Sequence, residues 1–374
     1  MKNMKEYREQ FEGILLELGL TEHEVEKQIV SKSEVAEDKE RFNLVAAVWG
    51  QEYTKFFLET ALPCMLSQKN LPYLIEHATV SLDIFTSRND ALTIKSSPIY
   101  QAVKELCPVR FFEFDNQAIS NAQNNYTLMS LCHSLAIMVG KREAAALVFL
   151  IVDSVISDGS LELIYNKIHG GYKAVLWNCV RLSEDTAVED YHKKFGSDLH
   201  TTVDPIELAR FALKHLHIQT TSTAWDGDRS CKVSCGLIWT VPDEGILLKT
   251  FQWHPIAVRS EVISPEISTA IDSSCFSNTS MTIDDIYLIC DSTEGMYCEF
   301  SHPRFGTGGI GEPGCLTLEG IAQWAEVYAK PLQGEMFKFT STIYCSKESK
   351  LWEEKLIEAE QVTESVLTMV GFQD

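Results

Sequence analysis

The sequence predicts an α/β fold with a mostly parallel sheet and helices on both of its faces. Between Phe42 and Arg181, short apolar runs alternate with stretches of helical period, which is typical of a parallel sheet. The run Ala144–Val152 contains no polar residue, as expected of a strand that is buried on both faces. The chain has 374 residues, of which 45% are hydrophobic and 23% charged, so it can bury a large core.

Each element follows from a local pattern. Apolar runs predict strands at 42–49, 80–86, 109–114, 145–152, 173–181, 237–240, 247–254, 287–290 and 296–300. Amphipathic stretches predict helices at 125–140, 160–169, 316–329 and 349–369, and a further helical stretch ends near Leu66. Ligands of such sheets bind beyond the carboxyl ends of the strands. The segments to inspect are therefore 49–53, 86–90, 115–125 and 153–160.

The chain divides into three parts. Residues 1–41 form an N-terminal helical extension, in which Phe11, Ile14 and Leu18 recur at helical spacing and Thr21 with Glu24 forms a capping box. Residues 42–345 form the main domain. Residues 346–374 form a C-terminal amphipathic helix.

Charge and cysteine content limit the partners and the compartment. The net charge of −21 argues against nucleic acid as a partner, because binding to phosphate backbones needs clustered Lys and Arg. No apolar run is long enough for an integral membrane segment, and no secretory signal is visible. The 11 cysteines are scattered, so free thiols in the cytoplasm are expected. Cys231 and Cys235 have no second closely spaced pair, which argues against a zinc site.

The most informative segment runs from Val148 to Leu161. A buried strand delivers Asp153 at its carboxyl end, and Asp158 follows in a turn. Carboxylate oxygens at this position suit Mg²⁺ or Mn²⁺ bound to a diphosphate. The structural alternatives are that Asp153 begins a turn and that Asp158 caps the helix near Ser160.

This segment resembles the metal-binding strand of GT-A glycosyltransferases, the nucleotide-diphospho-sugar transferases. In that family an apolar strand runs into a D-x-D motif. In the same register this chain reads Ile151-Val152-Asp153, so the first carboxylate is missing. The resemblance extends over Phe42–Arg181 and implies a GT-A-like, Rossmann-type sheet in an uncharacterised bacterial branch of the family. It implies a nucleotide-binding half at 42–181 and an acceptor half at 182–345.

The resemblance also implies which residues contact the nucleotide sugar. The family's first strand leads to a nucleotide-contacting loop, its second ends near the base, and the helix before the metal strand lines the sugar nucleotide site. In this chain the implied contacts are Trp49, Thr86, Arg88, His133, Ser157 and Asp158. For His133, a half-buried histidine with its hydrogen bonds satisfied is the structural alternative.

Two later segments complete the predicted site. Trp253-His254-Pro255 follows a predicted strand, and a late histidine completes the metal shell in several families of this class, so we predict that Asp153 and His254 hold the metal. Asp284 and Asp285 are the predicted catalytic residues, because a carboxylate can serve as general base toward an acceptor hydroxyl. The structural alternatives are a histidine packed beside Pro255 and a solvated turn.

A glycine-rich segment matches a dinucleotide-binding motif in its letters but not in its context. Gly306–Gly311 matches G-x-G-x-x-G, but Pro313-Gly314 interrupts the helix that a dinucleotide site requires. We predict a flexible loop there, and no NAD or FAD binding.

The resemblance predicts a glycosyltransferase of the hexosyltransferase type. It would move a sugar from a nucleotide-diphosphate donor to a hydroxyl of a glycan, lipid-linked or protein acceptor, with Mn²⁺ or Mg²⁺. One alternative is a nucleotidyltransferase of similar fold, although Trp49-Gly50-Gln51-Glu52 lacks the glycine-rich signature with Lys or Arg that such enzymes carry. The other is a non-catalytic scaffold or partner protein, which the missing first Asp favours.

Overall fold

The computed structural model describes residues 4–29, 39–196, 199–227, 234–267, 271–276, 279–304 and 316–372. Within these ranges the strands are β1 (Arg41–Ala47), β2 (Thr79–Ser87), β3 (Val109–Phe114), β4 (Ala146–Leu150), β5 (Ser154–Ile156), β6 (Ala174–Trp177), β7 (Val180–Ser183), β8 (Gly236–Val241), β9 (Gly245–Thr250), β10 (His254–Arg259), β11 (Ile286–Ile289), β12 (Tyr297–Ser301) and β13 (Ser341–Tyr344).

Helices connect most of these strands. They are α1 (Met4–Leu18), α2 (Glu22–Glu26), α3 (Gln51–Phe56), α4 (Leu62–Met65), α5 (Leu71–His77), α6 (Arg88–Ser96), α7 (Pro98–Leu106), α8 (Asn116–Asn121), α9 (Asn125–Glu143), α10 (Ser160–His169), α11 (Glu184–Phe195), α12 (Pro205–Ala212), α13 (Ile218–Thr221), α14 (Leu318–Tyr328), α15 (Pro331–Phe337) and α16 (Leu351–Val370). A π-helical turn, Phe57–Ala61, joins α3 to α4. Among the described residues, no helix combines the length and apolar character needed to cross a bilayer.

The central sheet has seven strands in the order β11-β6-β10-β4-β1-β2-β3. Neighbouring strands are parallel except at β10, which runs antiparallel to both β4 and β6. Residues on one face of β1, such as Leu44, pack with α4, α5 and α10, whereas Val45 on the other face packs with α1 and α9. The predicted α/β class, with a mostly parallel sheet and helices on both of its faces, is confirmed.

The helical additions at the two ends of the chain are also present. The helix α1 packs on α9 and contributes Phe11, Ile14 and Leu18 to the core on that face. The helix α16 packs against α14 and against β8 and β9, where a separate apolar cluster contains Val366 and Leu367.

Two predicted strands are wrong in their extent. The run 173–181 is two strands, because β6 ends at Trp177 in the central sheet and β7 begins at Val180 in a small sheet ordered β5-β12-β7. The run 247–254 is likewise divided, since β9 belongs to a third sheet, β13-β9-β8, and His254 begins β10. Only isolated polar residues, Asn178 at the first break and Gln252 at the second, interrupt the apolar side chains there, so the pattern of hydrophobicity does not mark the breaks.

Candidate functional site

A cavity of about 380 Å³ lies at the carboxyl ends of β1, β4 and β6. Because β10 is antiparallel, its first residue, His254, pairs with Trp177, the last residue of β6, and so reaches the same edge. Gly50 has a φ of +81°, a conformation that glycine adopts without strain, and the chain turns there from β1 into α3. This turn brings Glu52 and Tyr53 to the cavity.

Aromatic side chains form much of the cavity wall; they include Trp49, Tyr53, Phe56, Tyr126, Trp177 and Tyr297. Trp49 makes an edge contact with Phe114, and the ring of Trp177 stacks on that of Tyr297 with centroids 4.9 Å apart. Tyr53 and Tyr126 are 41% and 45% exposed, so they stand at the mouth. Ring faces of this kind are suited to stacking against a base or a sugar.

An ion pair lies in the cavity wall. The Arg181 guanidinium on β7 contacts the Glu299 carboxylate on β12, with Nη1 and Oε1 2.8 Å apart. Arg181 Nη1 also donates to Ser301 Oγ at 3.2 Å, and that hydroxyl donates to Glu299 Oε1 at 3.0 Å. Glu299 is only 8% exposed, so the pair is removed from bulk water.

Asp153 follows β4 and lies beside this pair. Its carbonyl oxygen accepts a hydrogen bond of 2.8 Å from the backbone N–H of Phe300, which fixes the two segments together. Burial, and next the negative charge of Glu299, raise the pKa of the Asp153 carboxyl to about 8. The site therefore contains two neighbouring carboxyl groups, and Glu299 is the one that forms the ion pair with Arg181.

Two histidines line the inner part of the cavity. His133 on α9 is buried against Phe149, with ring centroids 5.1 Å apart, and burial lowers its pKa to about 4. Burial also lowers the pKa of His254, although the charge of Glu299 opposes that shift. Both imidazoles are therefore neutral near pH 7.

A second pair of carboxylates lies on the wall. Glu52 on α3 and Glu184 at the start of α11 both line the cavity, as does His302. Burial, and next the charge of Glu52, raise the pKa of Glu184 above its ordinary value. Raising a carboxylate pKa toward neutrality makes it a better proton acceptor at physiological pH.

No group of three or more His, Cys, Asp or Glu side chains among the described residues is placed to hold a metal by itself. The carboxyl groups of Asp153 and Glu299 nevertheless lie near each other, since the charge of Glu299, next after burial, raises the pKa of Asp153. Mg²⁺ is commonly held by one or two carboxylates together with phosphate oxygens of a substrate. The donor set thus fits a cation that arrives with a diphosphate.

The structure brings together four of the residues that the sequence singles out. Trp49, His133, Asp153 and His254 all line the cavity. Thr86 does not, because it is fully buried in β2, and Arg88 is exposed at the start of α6. Neither lines the cavity, although both lie near the carboxyl end of β2.

Ser157 and Asp158 lie outside the cavity and make contacts within the fold. Ser157 Oγ accepts a hydrogen bond of 2.9 Å from the backbone N–H of Met296. Asp158 Oδ1 accepts one of 3.0 Å from the backbone N–H of Lys69. The helix α10 begins after Gly159, so Asp158 is not its N-cap residue.

Asp284 and Asp285 lie at the opposite edge of the sheet. They directly precede β11, which runs parallel to β6 with Ile286 paired to Ala174, the first residue of β6. Asp285 accepts from Lys173 Nζ at 2.8 Å, and this contact holds the pKa of Asp285 below its ordinary value. Asp284 is exposed. The tertiary structure thus separates both predicted catalytic residues from the cavity.

Sequence reasoning missed Glu299, Arg181, Trp177 and Glu184. A charged residue within the apolar run 296–300 was a usable signal for Glu299, since strands of this kind rarely bury a carboxylate without a reason. The glycine-rich segment Gly306–Gly311 and Cys231 lie outside the described residues.

Comparisons with known proteins return remote structural neighbours. No protein-family model matches the sequence, and no curated protein matches it either. A crystal structure of mouse xyloside xylosyltransferase 1 aligns with 10% identity and a TM-score of 0.26 over 41% of this chain and 58% of the neighbour. A "putative glucose-1-phosphate thymidylyltransferase" from Bacillus anthracis aligns with 12% identity and a TM-score of 0.23 over 38% of this chain and 56% of the neighbour. The matched region spans less than two thirds of either neighbour.

Proposed function

We propose that this protein is a glycosyltransferase that moves a sugar from a nucleotide-diphosphate donor to an acceptor hydroxyl. The observation that carries the proposal is the cavity at the carboxyl edge of the sheet, whose wall combines aromatic rings with the Asp153, Glu299 and Arg181 cluster. Open α/β sheets bind their ligands at this edge. Concave sites with apolar walls and a few converging polar groups are the usual binding sites of small molecules.

The charges of the cavity set a condition on such a donor. The described lining includes four carboxyl groups, those of Glu52, Asp153, Glu184 and Glu299, and one guanidinium, that of Arg181. A diphosphate entering this site needs additional positive charge. We therefore propose that Asp153, with Glu299, holds Mn²⁺ or Mg²⁺ when the donor is bound. When present, the cation supplies charge neutralisation for the departing diphosphate.

The chain's own residues supply the remaining chemistry. Arg181 places a fixed positive charge beside the carboxylates, where negative charge on the leaving diphosphate would develop. Glu184 takes the proton of the acceptor hydroxyl, because burial and Glu52 raise its pKa and it lines the cavity. In this proposal Asp284 and Asp285 have no catalytic part, since they lie at the other edge of the sheet. The aromatic wall, Trp49 included, excludes water and stacks against the donor.

The first experiment tests donor binding and its dependence on metal. Melting temperatures are measured with UDP-, GDP-, CMP- and dTDP-sugars, with and without Mn²⁺, because a ligand that binds only the native state raises the melting temperature. Donor hydrolysis is measured in parallel. We expect one donor class to stabilise the protein in a Mn²⁺-dependent way. If none does and no hydrolysis occurs, the scaffold alternative is favoured.

Three variants locate the site. We expect Asp153→Asn to abolish Mn²⁺-dependent donor binding, and Glu184→Gln to reduce transfer while donor binding persists. Asp284→Asn makes the same chemical change as Asp153→Asn at an exposed position outside the cavity, so it is the matched control and should behave as the parent. Loss of turnover in Asp284→Asn with normal turnover in Glu184→Gln would contradict our choice of base. Release of pyrophosphate from a nucleoside triphosphate and a sugar 1-phosphate would indicate the nucleotidyltransferase alternative.

His254 provides a separate test of the metal. If His254 also ligates the cation, His254→Ala should lower Mn²⁺ affinity about 10- to 100-fold in the presence of a nucleoside diphosphate. Isothermal calorimetry measures this affinity. An unchanged Mn²⁺ affinity, together with a lower melting temperature, would show that His254 has only a structural role.

A further inference from the structure

Two tyrosine hydroxyls at the mouth of the cavity lack hydrogen-bond partners within the described part of the chain. Tyr53 and Tyr126 both line the cavity and are 41% and 45% exposed, so a molecule that enters from solvent can reach these side chains. Neither hydroxyl bonds to another described residue, whereas the hydroxyls of Tyr7, Tyr287 and Tyr344 do. A ligand can therefore bind both hydroxyls without breaking a hydrogen bond of the described fold.

The two side chains come from helix starts at the carboxyl edge of the sheet. Tyr53 lies in the first turn of α3, soon after the turn at Gly50. Tyr126 lies in the first turn of α9, where the side chain of the N-cap residue Asn124 accepts a hydrogen bond of 3.0 Å from the backbone N–H of Thr127. The backbone is thus ordered at both positions before a ligand arrives, which limits the entropy lost on binding.

Both hydroxyls lie close to the charged wall of the cavity. Burial raises the pKa of Tyr53 most, and the negative charge of Asp153 is the next cause. Burial also raises the pKa of Tyr126, where the charge of Arg181 opposes the shift and that of Glu299 adds to it. The interaction of two charges weakens with the distance between them. The phenol groups are therefore near the carboxyl groups and the guanidinium of this wall.

The protonation state of the two phenols suits them to bind an anion. Both pKa values are raised above the ordinary 10.0, so each phenol keeps its proton near pH 7 and can donate a hydrogen bond. Phosphate oxygens are strong acceptors of hydrogen bonds. The guanidinium of Arg181 already contacts the carboxylate of Glu299, so a diphosphate at this wall gains from further donors that carry no negative charge.

We propose that the hydroxyls of Tyr53 and Tyr126 donate hydrogen bonds to the diphosphate of the sugar donor and to the same group as it leaves. This inference rests on the proposed function and deepens it. The residues proposed to hold the cation of that diphosphate, Asp153 and Glu299, belong to the wall near which the two hydroxyls lie.

The transfer step shows when these hydrogen bonds matter most. The bond between the sugar carbon C1 and the diphosphate oxygen breaks, and its electron pair stays on that oxygen. The acceptor oxygen bonds to C1, the acceptor proton goes to Glu184, and both tyrosines keep their protons. Negative charge on the diphosphate oxygen grows as the bond breaks, so the hydrogen bonds from Tyr53 and Tyr126 are stronger in the transition state than in the bound donor.

The binding test removes each hydroxyl and keeps its ring. Tyr53→Phe and Tyr126→Phe delete one hydroxyl each, whereas Tyr53→Leu and Tyr126→Leu delete the ring as well. Calorimetry with Mn²⁺ measures dissociation constants for UDP, GDP and dTDP, for the corresponding nucleosides and for inorganic pyrophosphate. We expect each Phe variant to bind pyrophosphate and the preferred nucleoside diphosphate about 10-fold more weakly, as loss of a hydrogen bond to a charged group predicts. Its affinity for the nucleoside should be unchanged.

A kinetic test separates catalysis from binding. In each Phe variant, kcat for donor hydrolysis should fall about 10- to 100-fold and KM should change less, because the diphosphate oxygen carries less charge in the bound donor than as it leaves. The melting temperatures of the unliganded Phe variants should equal that of the parent. Tyr328→Phe is the matched control: Tyr328 on α14 is 61% exposed and does not line the cavity, so every affinity and kcat should stay unchanged.

The outcomes separate this inference from the proposed function. If the parent hydrolyses a nucleotide sugar and both Phe variants bind every ligand and turn over as the parent does, the hydroxyl contacts are wrong and the proposed function stands. Weaker nucleoside binding by the Leu variants alone would then assign the rings to the base. Equal losses of affinity for nucleoside and nucleoside diphosphate in the Phe variants would also overturn the contacts.

The pyrophosphate measurement decides the remaining case. If the parent neither binds nor hydrolyses any nucleotide sugar, the proposed function fails. Saturable pyrophosphate binding that both Phe variants weaken would still support the hydroxyl contacts with a diphosphate, and the absence of such binding would overturn them.

Discussion

Arg181 and Glu299 face each other across neighbouring parallel strands and form an ion pair of 2.8 Å in the cavity wall. Their side chains are 23% and 11% exposed, so each charge depends on the other for solvation. Burial raises the pKa of the nearby Asp153 carboxyl most; of the two charges in the pair, that of Glu299 raises this pKa further and that of Arg181 lowers it.

Replacing one member of this pair should destabilise the fold. Arg181→Met leaves the Glu299 carboxylate buried without its counter-ion, which should lower the free energy of unfolding by about 3 kcal/mol. Urea unfolding measures this change. The double variant Arg181→Met, Glu299→Gln has neither charge of the pair, so it should recover part of the stability that Arg181→Met loses. Strictly additive effects would show that the two side chains do not interact energetically.

Asp153 should make stability depend on pH. Its pKa in the folded protein is raised to about 8 from an ordinary value of 3.8, so the native state binds a proton that the unfolded chain has lost. Stability from this group is present at acid pH and falls as the pH rises through that interval, by at most about 1.4 kcal/mol per pH unit. Asp153→Asn removes the titration.

The comparison of Asp153→Asn with the parent isolates this effect from other titrating groups. The variant should gain stability relative to the parent as the pH is raised from about 5 to about 8. Urea unfolding at several pH values, without added metal, measures the difference. Parallel curves for the two proteins would contradict the raised pKa.

A second buried charge cluster, away from the cavity, should contribute strongly to stability. Arg110 donates from Nε and Nη2 to the two carboxylate oxygens of Asp83, each at 2.6 Å, and from Nη1 to Glu143 Oε1 at 2.6 Å. Arg41 also contacts Glu143. Arg110→Met leaves carboxylates buried with less positive charge, so the free energy of unfolding should fall by about 3–5 kcal/mol.

The control for this prediction is Arg8→Met. Arg8 is 69% exposed and pairs with Glu12 one helical turn away, so its loss should lower the free energy of unfolding far less than the loss of Arg110 does. Guanidinium unfolding of the two variants measures both changes. Equal effects would show that burial does not strengthen the Arg110 contacts. Donor binding should be normal in folded Arg110→Met, because this cluster does not line the cavity.

The C-terminal helix should be part of the stable fold. Leu367 is 6% exposed in the cluster between α16, α14 and the β8–β9 strands, so Leu367→Ala should lower stability by about 2–5 kcal/mol. Leu356 lies on the same helix but is 41% exposed, and Leu356→Ala should cost well under half as much. Thermal unfolding compares them. Similar small effects in both variants would show that α16 is only loosely attached.

Strongly patterned elements were predictable from the sequence. Val109–Phe114 and Ser160–His169 match the predicted strand and helix at both ends, because the alternation and the capping signals are local. Asp153 was predicted for the same reason: a continuous apolar strand ends beside it, and the carboxyl end of such a strand meets the binding edge of a parallel sheet.

Other parts of the site depend on how distant segments pair. Glu299 reaches the cavity because β12 pairs with β7, some 120 residues away, and no local pattern encodes that pairing. His254 reaches it because β10 runs antiparallel between β4 and β6. The direction of a strand in a sheet depends on hydrogen bonds to distant segments. The local sequence pattern of a strand therefore does not show at which edge of the sheet its first residue lies.

Hydrophobic periodicity over a few residues is enough to predict the α/β class, the mostly parallel sheet and the position of Asp153 at a strand end. That Glu299 and Arg181 join Asp153, and that Asp284 and Asp285 do not, follows from the order and direction of the strands. Periodicity controls which side chains are buried, whereas strand order and direction control which strand ends meet. Asp284 precedes β11, which is parallel to β6, so it lies at the edge formed by the amino ends of these strands. The cavity lies at the opposite edge, at their carboxyl ends.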